Sequence, residues 1–215
     1  MCCNSVMVSD FANRGSLSRR VLLQCIVLAG ASGQLRPLFA AEQIVGAVSD
    51  VNGEAVAQLN DRRRKLTQKS PLYIGDTINT GAQSRLRALL ARKTSLRLGA
   101  NTKVRIDQFL VNTGGELVLD SGVLLIDTSG KLPKGLEVQS PFALIAVRGT
   151  RFFAGPIEGI FGVFASRGAV DVTAGNKTVR LRTGEGTDIA HPGDEPGPVK
   201  QWGKTKIDKA MALAG

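Results

Sequence analysis

Apolar and polar residues alternate with a period of two along most of the chain from residue 44 onward. Ser84-Arg85-Leu86-Arg87-Ala88-Leu89-Leu90-Ala91 places Arg85 and Arg87 on one side of an extended backbone and Leu86, Ala88 and Leu90 on the other. Leu96-Arg97-Leu98 and Lys103-Val104-Arg105-Ile106-Asp107 repeat the pattern, and apolar runs of similar length continue to Thr178-Val179-Arg180-Leu181. The runs are about four to seven residues long, with turn residues roughly every eight to twelve positions. This spacing excludes a helical bundle and parallel strand–helix–strand units, and it predicts an all-β domain of short strands. A sandwich, a barrel and a solenoid of stacked antiparallel rungs all remain open, and no strict repeat emerges.

Several local expectations follow. Asn52-Gly53 supplies the positive φ of a tight hairpin between Ile44-Val45-Gly46-Ala47-Val48 and Glu54-Ala55-Val56-Ala57-Gln58-Leu59. Ser140-Pro141-Phe142-Ala143-Leu144-Ile145-Ala146-Val147-Arg148-Gly149-Thr150-Arg151-Phe152-Phe153 reads as the central strand pair, and Gly175-Asn176 turns the chain back on itself. Asp61-Arg62-Arg63-Arg64-Lys65 reads as a solvated loop. Near the end, residues 204–214 have good helix formers and predict one short helix with Trp202 pinning its start, with a frayed terminus as the other outcome.

Composition adds the boundaries. The 215 residues suffice for one domain with a sizeable core, and 25 glycines imply many turns. Arg14, Arg19 and Arg20 precede an apolar stretch over residues 21–33, which ends in Leu38-Phe39-Ala40-Ala41. That layout predicts an export signal over residues 1–41; the stretch is short for the ~20 apolar residues a membrane span needs, and an uncleaved anchor is the alternative. Ser18-Arg19-Arg20-Val21-Leu22-Leu23, with Arg36 near the cleavage site, resembles a twin-arginine export motif. The expected organisation is therefore a signal over 1–41, a β domain over 42–190 and an extended tail with a short helix over 191–215. The expected location is the periplasm or the cell surface, with no membrane span after cleavage.

Candidate chemistry is sparse. Cys2, Cys3 and Cys25 all precede residue 42, and His191 is the single histidine, so the exported portion offers no cysteine–histidine metal site and implies no cofactor. Ser95, Ser140 and Ser166 have no histidine nearby in sequence. The carboxylates Asp120 and Asp127 leave a cell-wall or glycan hydrolase as a minor reading. A non-enzymatic protein is the main expectation.

Charge points to partners. The formal net charge is +10, of which residues 42–215 carry +7. Arg85, Arg87, Arg97 and Arg105 are expected to share one basic sheet face, which either attracts an anionic surface polymer or keeps a β surface soluble. Export and the shortage of stacking aromatics argue against nucleic acid.

Five segments together resemble the FecR domain of bacterial envelope proteins. They are Ile74-Gly75-Asp76-Thr77-Ile78-Asn79-Thr80-Gly81, Leu98-Gly99-Ala100-Asn101-Thr102, Pro141-Phe142-Ala143 with Val147-Arg148-Gly149-Thr150-Arg151-Phe152, Gly168-Ala169-Val170-Asp171-Val172, and Gly184-Glu185-Gly186. The resemblance implies an all-β, solenoid-like periplasmic module. It also implies, from the best-known members, regulation of iron uptake: a cytoplasmic segment holds a sigma factor and the periplasmic part receives a signal from an outer-membrane receptor. About 20 residues precede the apolar stretch here, too few to bury a core that holds a partner. The expectation is thus a stand-alone envelope binding or signal-sensing module that contacts an envelope protein or anionic polymer, with the iron-signalling regulator as the alternative. Self-association through an unpaired end strand is a further expectation. The family motif marks Arg148, Gly149, Thr150 and Arg151 as binding candidates. Arg148 is expected either to be buried and paired, which the apolar run favours, or to be displayed to a ligand.

Overall fold

The computed structural model describes residues 43–91, 93–110, 114–128 and 135–215. The expected export signal, its twin-arginine motif and the three cysteines lie outside the described residues. The period-two segments form strands, and the chain deals them alternately to two sheets. The first strand, β1 (Ile44–Asn52), belongs to one sheet, whereas β2 (Ala55–Leu59) and β3 (Arg62–Lys65) belong to the other. The chain then returns for β4 (Pro71–Tyr73), crosses for β5 (Thr77–Thr80), and returns for β6 (Arg85–Leu90) and β7 (Thr94–Leu98). The alternation continues with β8 (Lys103–Leu110) and β9 (Gly114–Ser121), β10 (Leu124–Thr128), then β11 (Leu136–Gln139) and β12 (Leu144–Val147). It ends with β13 (Arg151–Ile157) and β14 (Ile160–Arg167), β15 (Ala169–Ala174) and β16 (Lys177–Arg182), and finally β17 (Glu185–Ile189) and β18 (Lys200–Gln201).

The two sheets grow in parallel. The first runs β18-β17-β14-β13-β10-β7-β6-β1-β4 and the second β16-β15-β12-β11-β9-β8-β5-β2-β3. From β5 and β6 onward order in space follows order in sequence, as in a solenoid, whereas at the other end β4 lies outside β1 and β3 outside β2. Neighbours pair antiparallel except β9 with β11, which pair parallel. Both sheets stay open, so the all-β expectation holds as two facing sheets with solenoid-like winding; neither closes into a barrel.

Inward positions of both sheets form one apolar core that includes Leu86, Leu96, Ile126, Phe152 and Val163 from the first sheet and Ile78, Ile106, Leu117, Ile145 and Val172 from the second. At about 25 cal/mol per Å² of apolar area, burial of these side chains is the main favourable contribution to folding. A smaller apolar cluster lies on the outer face of the first sheet, where α1 (Lys204–Ala214) packs Ala210 and Ala214 against Leu125, Phe153 and Phe164. Trp202 stacks on Phe164 with centroids 5.0 Å apart, and Lys206 Nζ lies 4.2 Å above the indole ring. Gly186 makes this possible, because a Cβ there would overlap the indole. The predicted helix and its tryptophan pin are thus present. Residues 200–214 return to the first sheet, within the same compact unit as β1 to β17. Among the described residues no helix is long and apolar enough to cross a membrane.

Three local expectations fail, two of them because the chain changes sheets. Asn52-Gly53 does not close a hairpin: β1 pairs with β4 and β6, and β2 pairs with β3 and β5. Gly53, at φ +87°, turns the chain from one sheet to the other, and the Glu54 N–H donates to Ser84 Oγ at 2.8 Å across that corner. Between Tyr73 and Thr77 the chain also changes sheets, from β4 to β5. Likewise β12 and β13 do not pair, because Arg148-Gly149-Thr150 is a crossing between sheets. The run at 61–65 is an edge strand, β3, and not a loop. The hairpin at Gly175-Asn176 does form, joining β15 to β16.

Candidate functional site

The crossings are built alike, and they decide what the motif residues do. At one corner Thr128 donates from its backbone N–H and its Oγ1 to the Thr150 carbonyl, at 2.9 and 3.1 Å, and its Oγ1 accepts the Thr150 N–H at 2.8 Å. At another, Thr80 Oγ1 accepts the Thr102 N–H at 2.9 Å and donates to the Gly99 carbonyl at 2.6 Å. Thr102 Oγ1 in turn accepts the Val123 N–H at 2.9 Å. The partners are 22, 22 and 21 residues apart. Buried hydroxyls thus satisfy backbone groups that leave the ladders where the chain changes sheets. This is the recurrence that the hydrophobic pattern does not show.

Thr150 is therefore buried structure and not a ligand contact. Its Oγ1 has no hydrogen-bond partner, whereas the Thr128 hydroxyl bonds with two backbone groups of Thr150. The two positions should respond oppositely. Thr128→Val strands the Thr150 N–H and is expected to cost about 2 kcal/mol, lowering the melting temperature by roughly 4–8 °C, whereas Thr150→Val is expected to be neutral or slightly stabilising. Thermal denaturation of both variants checks this.

Arg148 sits in the turn after β12, exposed, and does not occupy a buried paired position. The apolar run ends at Val147, so no strand buries the guanidinium, and Gly149 at φ +67° bends the backbone away. Arg148 borders a cleft of about 400 Å³ on the outer face of the second sheet. Its floor is one cross-strand row in which Glu137 faces Ala146, Ala146 faces Asp171 and Asp171 faces Arg180. The small Ala146 leaves a gap between longer charged neighbours. Gly135, at φ +78°, lets the chain pass close to Val147 and Arg148; a Cβ there would lie 2.9 Å from the Val147 carbonyl oxygen. Arg180 Nε stands 3.6 Å from Asp171 Oδ1, so the cleft holds both signs of charge, with Arg148 at its rim as a planar donor.

Arg151 faces elsewhere. It lies on the outer side of β13 in the first sheet, with Nε 3.9 Å from Asp127 Oδ2, and Arg167 donates to Asp127 Oδ1 at 2.7 Å. The corner sends Arg148 and Arg151 to opposite sheets, so the four motif residues do not form one site. The basic face divides in the same way. Arg85, Arg87 and Arg97 lie on the outer face of the first sheet, while Arg105 is on the second, 3.4 Å from Asp107. The chain changes sheets between β7 and β8, so an unbroken period-two pattern ends up facing two directions. Arg85 donates to the Ala212 carbonyl at 3.0 Å and Arg97 to a Gly215 oxygen at 2.9 Å, which ties both to the end of α1.

The hydrolase candidates are likewise separated. Asp120 is on the second sheet, 3.0 Å from Lys103 Nζ, and Asp127 is on the first. His191 is exposed and pairs with Asp194 in a surface turn. Among the described residues no group of three or more His, Cys, Asp or Glu could hold a metal ion.

Asp76, fully buried, is a motif residue whose role the sequence does not reveal. Its two carboxylate oxygens each accept from Arg64 Nη2 at 2.7 Å, and Oδ2 also accepts the Tyr73 N–H at 2.8 Å. Arg64 also lies 4.8 Å from the centroid of the Tyr73 ring. The sequence offers only a run of three arginines, Arg62 to Arg64, with the Gly75-Asp76 pair about a dozen residues on.

Residues 76–171 match the family model described as FecR protein. This stretch of the chain is similar to the FecR family. The match begins at the buried Asp76 and ends at Asp171 in the Arg148 cleft, so it covers the threonine corners and the whole cleft lining except Arg180. Two crystal structures of a Parabacteroides distasonis protein assigned as an anti-sigma factor are similar in fold to this chain. Each has a TM-score of 0.53, with 18% and 17% sequence identity. The similarity covers 61% of this chain and 62% of the P. distasonis chain. Comparison with curated proteins gives no match.

Proposed function

We propose that this protein is a signalling regulator of the bacterial envelope, in which the two-sheet FecR domain is the exported part that receives a signal through contact with another envelope protein. The observation that carries the reading is the FecR match over residues 76–171 on a fold similar to that of a protein assigned as an anti-sigma factor. It moves the weight from a general binding module to a regulator that works with a sigma factor and a receptor, of the kind that governs iron uptake. Export through a twin-arginine signal over residues 1–41 to the periplasm is part of the proposal, supported by Arg19-Arg20 and the apolar stretch that follows. A non-enzymatic role accords with the separation of Asp120 from Asp127.

The proposed contact is the Arg148 cleft. A cleft with both signs of charge and a guanidinium at its rim suits a polar protein surface more than an apolar small molecule. Expression of a reporter that depends on the cognate sigma factor tests the reading. Deleting the gene should change reporter output at least about tenfold, and Arg148→Ala should blunt the response to the signal without lowering the melting temperature. An unchanged transcript profile in the deletion strain would sink the regulator reading. Retention on anionic surface polymer in that case would favour the binding-module reading, to which the +7 formal charge of residues 42–215 lends support.

A further inference from the structure

The outer face of the first sheet carries a cluster of arginines that the FecR match does not explain. Register places Arg87 of β6 directly opposite Arg97 of β7, and Arg151 of β13 directly opposite Arg167 of β14. Asp127 of β10 stands in the same cross-strand row as Arg151 and Arg167. Like charges directly opposite each other on one face of a sheet are destabilising, and this sheet contains two such pairs within five adjacent strands. These are interior strands, so the arginines do not serve to blunt an edge.

The pairings within the cluster are incomplete. Arg167 takes Asp127 at 2.7 Å and the Thr128 carbonyl at 3.1 Å. Arg151 is left 3.9 Å from the same carboxylate, and its buried Nε has no hydrogen-bond partner. Arg97 donates to a Gly215 oxygen, while Arg87 makes no hydrogen bond or ion pair among the described residues. Burial, followed by the neighbouring charges of Arg87 and Arg151, holds the Arg97 guanidinium below its ordinary pKa, which accords with crowded cations. Asp127 is thus shared by Arg151 and Arg167, Arg97 reaches a Gly215 oxygen, and Arg87 has Asp50 opposite it in register without an ion pair; the chain's own Asp127 shows how that surface receives a carboxylate.

We propose that this face docks an acidic segment of a protein partner, whose carboxylates are held by Arg87, Arg97, Arg151 and Arg167. Five strands at about 4.8 Å spacing span roughly 19 Å, the length of about six extended residues laid across the strands. Guanidinium forks match planar carboxylates in pairs. Asp127, which would repel a continuous polyanion, fits between the spaced carboxylates of a peptide. The inference rests on these charges alone and stands apart from the signalling reading.

Titration of the full chain with a fluorescent hexaglutamate peptide tests it. Binding is expected, weakening at least about tenfold between 50 and 300 mM salt. Arg87→Ser with Arg97→Ser should weaken it about tenfold, with the melting temperature changed by no more than about 3 °C, because relief of the like-charge pair offsets loss of the Arg97 bond to Gly215. Arg87→Lys with Arg97→Lys keeps the charge and tests the fork geometry; a loss of about threefold is expected. Lys103→Ser with Arg105→Ser, an equal charge loss on the other sheet, should leave affinity within about twofold. The proposal is overturned if hexaglutamate does not bind, if both serine pairs weaken it equally, or if dextran sulfate binds through Arg87 and Arg97 while the peptide does not.

Discussion

Phe152→Ala is expected to cost about 4 kcal/mol, enough to leave much of the protein unfolded at moderate temperature if total stability is in the usual range. Phe152 is fully buried on the inner side of β13, opposite Ile126 of β10 and Ala165 of β14. Its small neighbour Ala165 cannot fill the space left by the ring, and the second sheet meets this position through side chains already in close contact with the core. The cost is therefore the transfer free energy of the ring plus that of a residual cavity. Phe153 is the control. It is equally buried but points outward, beneath α1, so Phe153→Ala should loosen the helix while the two sheets persist. Chemical denaturation should give one shifted transition for Phe152→Ala. For Phe153→Ala, near-ultraviolet dichroism from Trp202 should fall before the sheet signal does. Stability within 1 kcal/mol of the parent for Phe152→Ala would refute the assignment of this face to the core.

The contrast between these adjacent phenylalanines shows how far the sequence carries the fold. Strand existence was legible because alternation is a local property: Arg85, Arg87 and Arg97 face outward and Leu86, Ala88, Leu96 and Leu98 inward, as the pattern predicts. The helix was legible from its residues, and its docking from Trp202. Membership of a sheet was not legible. A period of two describes a strand in either sheet equally well, and only the corner decides which sheet receives the next strand. Corners here depend on Thr80, Thr102 and Thr128 reaching partners about 22 residues away, and no window of ten residues contains such a pair. Asn52-Gly53 has the chemistry of a tight turn and adopts it, yet the turn opens onto the other sheet.

The same blindness to corners governs the candidate site. Arg148 and Arg151 are three residues apart and look like one binding motif, but a crossing between them separates their side chains onto opposite outer faces. The period-two pattern puts Arg105 with Arg97 for the same reason. Conversely, Arg151 and Arg167 meet at Asp127 only because β10, β13 and β14 are neighbours in the first sheet. A charge cluster drawn from three strands has no signature along the chain. Residue type was a sound guide to what each side chain does; which neighbours it meets depended on topology.

Asp76→Ala is expected to cost about 3 kcal/mol, a large loss for a polar residue, because it removes the acceptor for three hydrogen bonds at once. The buried Tyr73 N–H loses its partner, and Arg64 keeps a charge that was held against Pro71 and Tyr73 by the carboxylate. Since the Arg64 side chain remains 29% exposed, water recovers part of the loss and the figure stays below that for a fully enclosed pair. Arg64→Ala alone should be at least as harmful, since it leaves the carboxylate, at 0% exposure, without its cation. The double variant decides between a coupled pair and two independent contributions. If the pair acts as a unit, Arg64→Ala with Asp76→Ala should cost at least 1 kcal/mol less than the two single losses added together, as read from urea denaturation. Strict additivity would show that Asp76 works through the backbone N–H alone. In that case Asp76→Asn, which keeps an acceptor oxygen, should match the parent, whereas a charge-dependent lock predicts that it loses about 1.5 kcal/mol.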